Sequence, residues 1–305
     1  MTSRYRILSL DGGGIRGLLT SRLLARLEAA HPLLIESFDL CAGTSTGGIL
    51  ALGLAAGLAP GAIADLYRNR GHEIFAQDVF GHLDRLVRAD YPNEPLADVL
   101  HGVFGDITLG DLKKKVLVAT FDLDSVVVTK AGVRTWKAKF FHNFPDPDGL
   151  DDLDQRVVDV AMRTSAAPTY FPTYEGFVDG GVVANNPSMC AVAQALDPKT
   201  GHQDLGDIWL LSLGAGANPD YIEGENENWG LEQWALRLVP MFLDGDAGLA
   251  DFQCQQVLAH RYLRLNPVLP ERIGLDSVDS LPLLDRVADG TEIDEVVGWL
   301  KHCCP

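Results

Sequence analysis

Apolar positions near the start of the chain change period twice in quick succession. Tyr5 to Leu10 is a short run that stops at a glycine cluster, the pattern of a buried strand. Leu18, Leu19, Leu23, Leu24 and Leu27 then recur near helical spacing, with Arg22, Arg26 and Glu28 between them, which predicts an amphipathic helix. The unit repeats at once. Phe38 to Cys41 reads as a second strand, Gly43 to Gly48 as a small-residue turn and Ile49 to Ala56 as a strongly apolar helix. Two strand–turn–helix units in tandem predict a mainly parallel sheet with helices on its faces.

Farther along, Pro60 stands where proline's fixed φ suits the first turn of a helix, and Gly61 to Phe75 carries mixed faces. Residues 78 to 95 show no clean period and are read as a cap over a cleft. Val116 to Phe121, Ser125 to Thr129 and Arg134 to Phe141 are β-branched or aromatic runs that predict consecutive strands. Asn143 to Asp152 is a surface loop by its Pro, Asp and Gly content. A helix near Leu153 to Thr164, a strand near Tyr174 to Val178, a helix over Pro187 to Leu196 and a strand over Ile208 to Leu213 continue the alternation. Asn218 to Asn228 holds Asp220, Glu223, Glu225 and Glu227 with no basic residue, the mark of a solvated surface excursion. From Leu231 to Pro305 the pattern is mostly helical, with a short strand at Arg261 to Leu265. With no linker or repeat between them, residues 1–305 are expected to form one α/β domain, the helical part from about 231 packed on the rest.

Composition narrows what such a domain can do. The net charge of -17 opposes binding to nucleic acid and simple attraction to anionic lipid, so membrane contact would have to be apolar or local. The longest apolar run, Ile49 to Ala59, is broken by Gly53 and Gly57 and is too short for a bilayer core of about 30 Å. Met1 to Arg6 runs straight into a strand without the apolar segment of a signal peptide. Cys41, Cys190, Cys254, Cys303 and Cys304 form an odd set with no CxxC and no neighbouring His pattern, which supports neither a disulfide framework nor a zinc site. The adjacent Cys303 and Cys304 match no lipidation motif and are assigned no role. A cytoplasmic protein that meets membranes transiently is expected.

Three short segments carry chemistry. The loop Asp11 to Gly17 (DGGGIRG) lies between a strand and a helix, where its glycines let several backbone N–H groups point into one space and the helix dipole adds to their pull on negative charge. Gly12, Gly14 and Gly17 also satisfy the dinucleotide fingerprint G-x-G-x-x-G, with Asp39 roughly where a ribose-binding carboxylate belongs. The second segment, Gly43 to Gly47 (GTSTG), is a G-x-S-x-G between a strand and a helix, the context of a nucleophile elbow that thrusts Ser45 out at a helix N-terminus. A plain packing turn would use the same small residues, but an anion-binding loop on the neighbouring strand favours catalysis: nucleophile and oxyanion donors meet at one sheet edge. The third, Asp179-Gly180-Gly181, puts a carboxylate at the end of a strand, where an apolar setting would raise its pKa toward that of a useful base. Taken alone it is an ordinary turn aspartate. None of the eight histidines, His31, His72, His82, His101, His142, His202, His260 and His302, sits in a motif.

DGGGIRG, GTSTGG (Gly43 to Gly48) and DGG (Asp179 to Gly181), with TSAAPTYFP (Thr164 to Pro172) between them, resemble the patatin-like phospholipase family in content and order. RYLRLNP (Arg261 to Pro267) and LDSVDS (Leu275 to Ser280) extend the likeness more loosely toward the C-terminus. The resemblance implies a three-layer α/β/α sandwich with a mainly parallel central sheet and a Ser-Asp dyad without a catalytic histidine or cofactor. By matching position, Ser45 is the nucleophile, Asp179 the base, and the N–H groups of Gly12, Gly13 and Gly14 the oxyanion hole. Arg16, a cation where the helix dipole opposes one, fixes the loop or meets substrate phosphate. The implied activity is hydrolysis of carboxylic esters in a phospholipid or glycolipid, releasing fatty acid. Its rivals are a signal-activated phospholipase that degrades the cell's own membrane, as in bacterial antiviral defence, a non-catalytic binding module, and a dinucleotide-binding protein.

Overall fold

The computed structural model describes residues 4–75, 89–126, 133–223 and 228–303. Most of the expected cap over 78–95, the end of the strand read to Thr129, residues 224–227 of the acidic loop, His82 and Cys304 lie outside the described residues.

Strand β1 (Tyr5–Leu10) leads through the glycine loop into α1 (Gly17–Ala30), and a short α2 (Leu34–Ser37) returns the chain to β2 (Leu40–Thr44) and α3 (Thr46–Ala56). Helices α4 (Pro60–Ile74) and α5 (Glu94–Phe104) come before a hairpin of β3 (Lys115–Val126) and β4 (Arg134–His142). Next are α6 (Val157–Ser165), β5 (Phe177–Asp179), α7 (Gly181–Ala184), α8 (Ser188–Leu196) and β6 (Ile208–Leu213). The C-terminal part is α9 (Leu231–Leu258), β7 (Tyr262–Leu265), α10 (Leu281–Gly290) and α11 (Asp294–Cys303).

The sheet runs β4-β3-β2-β1-β6-β7, parallel from β3 to β7, with β4 and β5 both antiparallel to β3. Successive strand residues point to opposite faces, and here both faces are apolar. Leu8, Leu10 and Cys41 pack with Leu24 of α1, Leu50 of α3 and Leu300 of α11. Ile7, Leu40, Ala42 and Leu117 pack on the other side with Ala191 and Val192 of α8 and Leu258 of α9. A sheet buried on both sides needs helices on both sides, so the molecule is a three-layer α/β/α sandwich.

Local readings shift in five places, one of them β5, which starts at Phe177 rather than Tyr174 and includes Asp179. β2 starts at Leu40 rather than Phe38, so Asp39 precedes the strand. The two strands expected over 116–121 and from Ser125 are one, β3, whose pairing with β4 shifts register between Asp122 and Ser125. α6 begins four residues later than Leu153, at Val157. α5 was not foreseen, although Leu96, Val99, Leu100 and Phe104 give it one buried face and Pro95 suits its first turn. Among the described residues no helix is long and apolar enough to cross a membrane.

Candidate active site

Ser45 alone separates β2 from α3, with φ 54° and ψ -126°. That conformation is strained for a residue with a Cβ, and strain of this kind persists only where the surroundings over-determine it. The turn is so tight that a Cβ on Gly43 would collide with the Gly47 carbonyl oxygen, and one on Gly47 with the Leu10 carbonyl oxygen. Thr164 of α6 fixes the serine further: its hydroxyl accepts from Ser45 N–H at 2.8 Å and donates to Ala119 O at 2.6 Å.

The sheet itself brings Asp179 to this turn. β2 pairs with β3 as far as Thr44 opposite Ala119 and then turns away at Ser45. β4 occupies the other edge of β3 throughout this stretch, so β5 can pair only along the edge that β2 has vacated. It runs antiparallel there and ends with Asp179 opposite Thr120, one residue beyond the end of β2. The two motifs, far apart in sequence, thus finish end to end in one lane of the sheet.

Asp179 is buried, its carboxylate accepts a hydrogen bond from Gly181 N–H at 2.7 Å, and the nearby Ser45 side chain also favours its charged form. Burial, which penalises the charged form, outweighs both and pushes the carboxyl from 3.8 up to about 6. Ser45 and Asp179 line one pocket of about 90 Å³ whose walls are apolar, among them Ile49, Ile74, Phe75, Phe171 and Leu243. None of the histidines in the described residues lines it.

The glycine loop divides its work. Gly12 N–H donates to Asn185 O at 3.0 Å and is therefore spoken for. The N–H groups of Gly13 and Gly14 have no partner among the described residues, and both glycines line the pocket with Ser45. Gly14 has φ +56°, and a Cβ there would strike the Leu275 carbonyl oxygen, which already accepts from Ile15 N–H at 2.7 Å. Of the three glycines expected to donate together, two keep unpartnered N–H groups beside the pocket, and the N–H of the third is taken up by Asn185.

Arg16 is buried, with Nε donating to Gly13 O at 3.3 Å and Nη1 to Gly216 O at 3.0 Å, contacts that link the glycine loop to the turn after β6. Burial lowers its pKa, partly offset by Asp244 and Asp11. Asp11 meets Arg264 of β7 at 2.6 and 3.2 Å, and Arg264 Nη1 also donates to Ser212 Oγ at 2.7 Å. Thr164 and Arg264 were not singled out in the sequence for any role, although both fall in segments that resemble the family, TSAAPTYFP and RYLRLNP.

Asp39 does not serve the glycine loop. It stands level with Arg6, whose N–H it accepts at 2.8 Å, at the edge of the sheet opposite the loop. The ribose-binding carboxylate of a dinucleotide site is therefore missing from that position.

A strained serine at a strand-to-helix elbow, opening into an apolar pocket beside a buried carboxylate, is a hydrolase arrangement on an α/β sheet. The patatin-like phospholipase family model matches residues 8–192, more than half of the chain, and the chain belongs to that family of lipid hydrolases. The chain is 35% identical over 274 residues to a cGAMP-activated phospholipase of Vibrio cholerae, covering 78% of this chain and 73% of that protein. It is 27% identical over 337 residues to Protein teg of Priestia megaterium, covering 98% and 99%. To patatin-like protein 2 of Arabidopsis thaliana it is 27% identical over 342 residues, covering 93% and 81%.

Proposed function

We propose that this protein is a cytoplasmic phospholipase A or lysophospholipase that cleaves carboxylic esters of glycerolipids through a Ser45–Asp179 dyad. The observation that carries the reading is the buried Asp179 carboxyl, pushed up to about 6 and lining one apolar pocket with Ser45. A base poised near 6 is largely ionised at neutral pH yet basic enough to draw a serine proton. Asp179 takes the proton as Oγ attacks the acyl carbonyl, and the N–H groups of Gly13 and Gly14 meet the oxyanion. The tetrahedral intermediate collapses, and the leaving alkoxide takes the proton from Asp179, which frees the alcohol or lysolipid and leaves Ser45 acylated. Asp179 then draws a proton from water as it attacks the ester, and that proton returns to Ser45 as the fatty acid departs. Arg16 and Arg264 are positioning residues, the first holding the Gly13 carbonyl and the second Asp11.

The test is incubation with a mixed lipid extract and mass analysis of the products. Wild type is expected to release fatty acid, and Ser45→Ala to release none while remaining folded. Undiminished release by Ser45→Ala contradicts the proposal. A second reading, activation by a signal nucleotide, is supported by the Vibrio relative's activity as its name describes it. It predicts near-silent turnover that added cGAMP raises.

A further inference from the structure

α9 carries two apolar faces where the fold uses one. Ala250, Cys254 and Leu258 lie buried on the side turned toward α8 and the sheet. On the other side Met241 (45% exposed), Phe242 (63%), Leu249 (56%) and Phe252 (59%) recur at helical spacing, with the exposed glycines Gly245 and Gly248 between them. Exposed residues this large, aligned along one helix face, have no packing role in the sandwich and mark a contact surface.

The stripe lies beside the pocket, and the residue next to Phe242 turns to the inner side of the helix to reach it. Leu243 of the same helix lines the pocket of Ser45, as does Val182 of α7, which is 43% exposed and belongs to the segment that packs against α9. At the other end of α9, Trp229 and Trp234 stack edge-on at 5.2 Å and Arg237 lies 4.6 Å over the Trp229 ring. An aromatic cluster with a cation suits the headgroup level of a lipid surface, where one end of a ring is apolar and the other wet. The charges between Pro240 and Leu258 are Asp244, Asp246 and Asp251, with no Lys or Arg.

From this we propose that the Met241–Phe252 face of α9 seats the protein on an electrically neutral, zwitterionic lipid surface, bringing the pocket mouth onto the membrane. The inference rests on the phospholipase reading and adds to it the docking face and the charge of the lipid. A second copy of the chain on the same face would close off the mouth that Leu243 and Val182 line. An anionic surface would be repelled by the net charge of -17, and no Lys or Arg stands between Pro240 and Leu258 to offset it.

The test compares the full-length wild type with Phe242→Asp/Leu249→Asp/Phe252→Asp, none of which lines the pocket. Flotation with phosphatidylcholine vesicles and hydrolysis of those vesicles are expected to fall about tenfold or more, while turnover of water-soluble nitrophenyl butyrate stays within about twofold. Leu150→Asp, on an exposed loop at the opposite edge of the sheet, is expected to leave all three readings unchanged. Should the triple variant fail to fold, Phe252→Asp alone carries the same flotation test. Unchanged flotation overturns the inference, as does binding that requires added phosphatidylglycerol, or a wild-type dimer that the substitutions dissociate. Flotation needs no turnover, so absence of soluble-ester hydrolysis in the wild type would count against the proposed function and not against the docking face.

Discussion

Asp179→Asn is expected to stabilise the protein while removing its activity. The carboxyl is 5% exposed and stands at about 6, against 3.8 in its ordinary state, because burial disfavours its charge more than Ser45 and Gly181 favour it. A carboxyl raised in the folded state contributes stability below its unfolded pKa and loses it as pH rises through the folded one. The rise from 3.8 to about 6 corresponds, at about 1.36 kcal/mol per pKa unit, to about 3 kcal/mol of stability given up by neutral pH. Asparagine keeps an oxygen that can accept from Gly181 N–H but carries no charge, so its own contribution does not change with pH. Urea unfolding of both proteins at pH 4 and at pH 7.5 reads the difference directly, since all other titrating groups are common to the pair. The variant should gain about 2 kcal/mol on wild type between the two pH values, the span covering most of the Asp179 titration. A gap that stays constant with pH, or that moves the other way, would refute the claim that Asp179 is a desolvated carboxylate.

The same group sets the rate profile: kcat/KM is expected to rise with pH to a plateau above about 6, and an acid-favoured profile would remove Asp179 as base. Gly14→Ala adds a Cβ at φ +56° against the Leu275 carbonyl, so we expect a loss of about 2 kcal/mol or more in stability and about 100-fold in kcat, read by unfolding and ester turnover. Arg264→Met strands the buried Asp11 carboxylate and should cost about 3–5 kcal/mol at neutral pH. That deficit should shrink in acid as Asp11, already raised by burial, takes up a proton.

Much of this site is written locally in the chain. The strands Tyr5–Leu10 and Ile208–Leu213 and the turn around Ser45 follow from short-range pattern, because a buried strand and a tight turn each restrict residue type within a few positions. The pairing of Ser45 with Asp179 does not. It arises because β2 stops at Thr44 and β5 takes over its lane on β3, a consequence of three strand lengths that no spacing rule reports. For the same reason the sequence could not say that Asn185 engages Gly12, that Thr164 holds the Ser45 N–H, or that Arg264 holds Asp11. Asp39 illustrates the opposite error: its distance along the chain suited a ribose, but the register puts it beside Arg6, at the far edge of the sheet. The exposed stripe on α9 is apolar in sequence too, yet only the packing of Ala250, Cys254 and Leu258 tells which of the two apolar faces is left outside.

The central claim is that Ser45, drawn on by Asp179, becomes acylated. Reaction with a fluorophosphonate, followed by peptide mass mapping, tests it most directly. The account predicts one adduct, on Ser45, that is lost in Ser45→Ala and forms far more slowly in Asp179→Asn. An adduct on another residue, or labelling at the wild-type rate in Asp179→Asn, would contradict it.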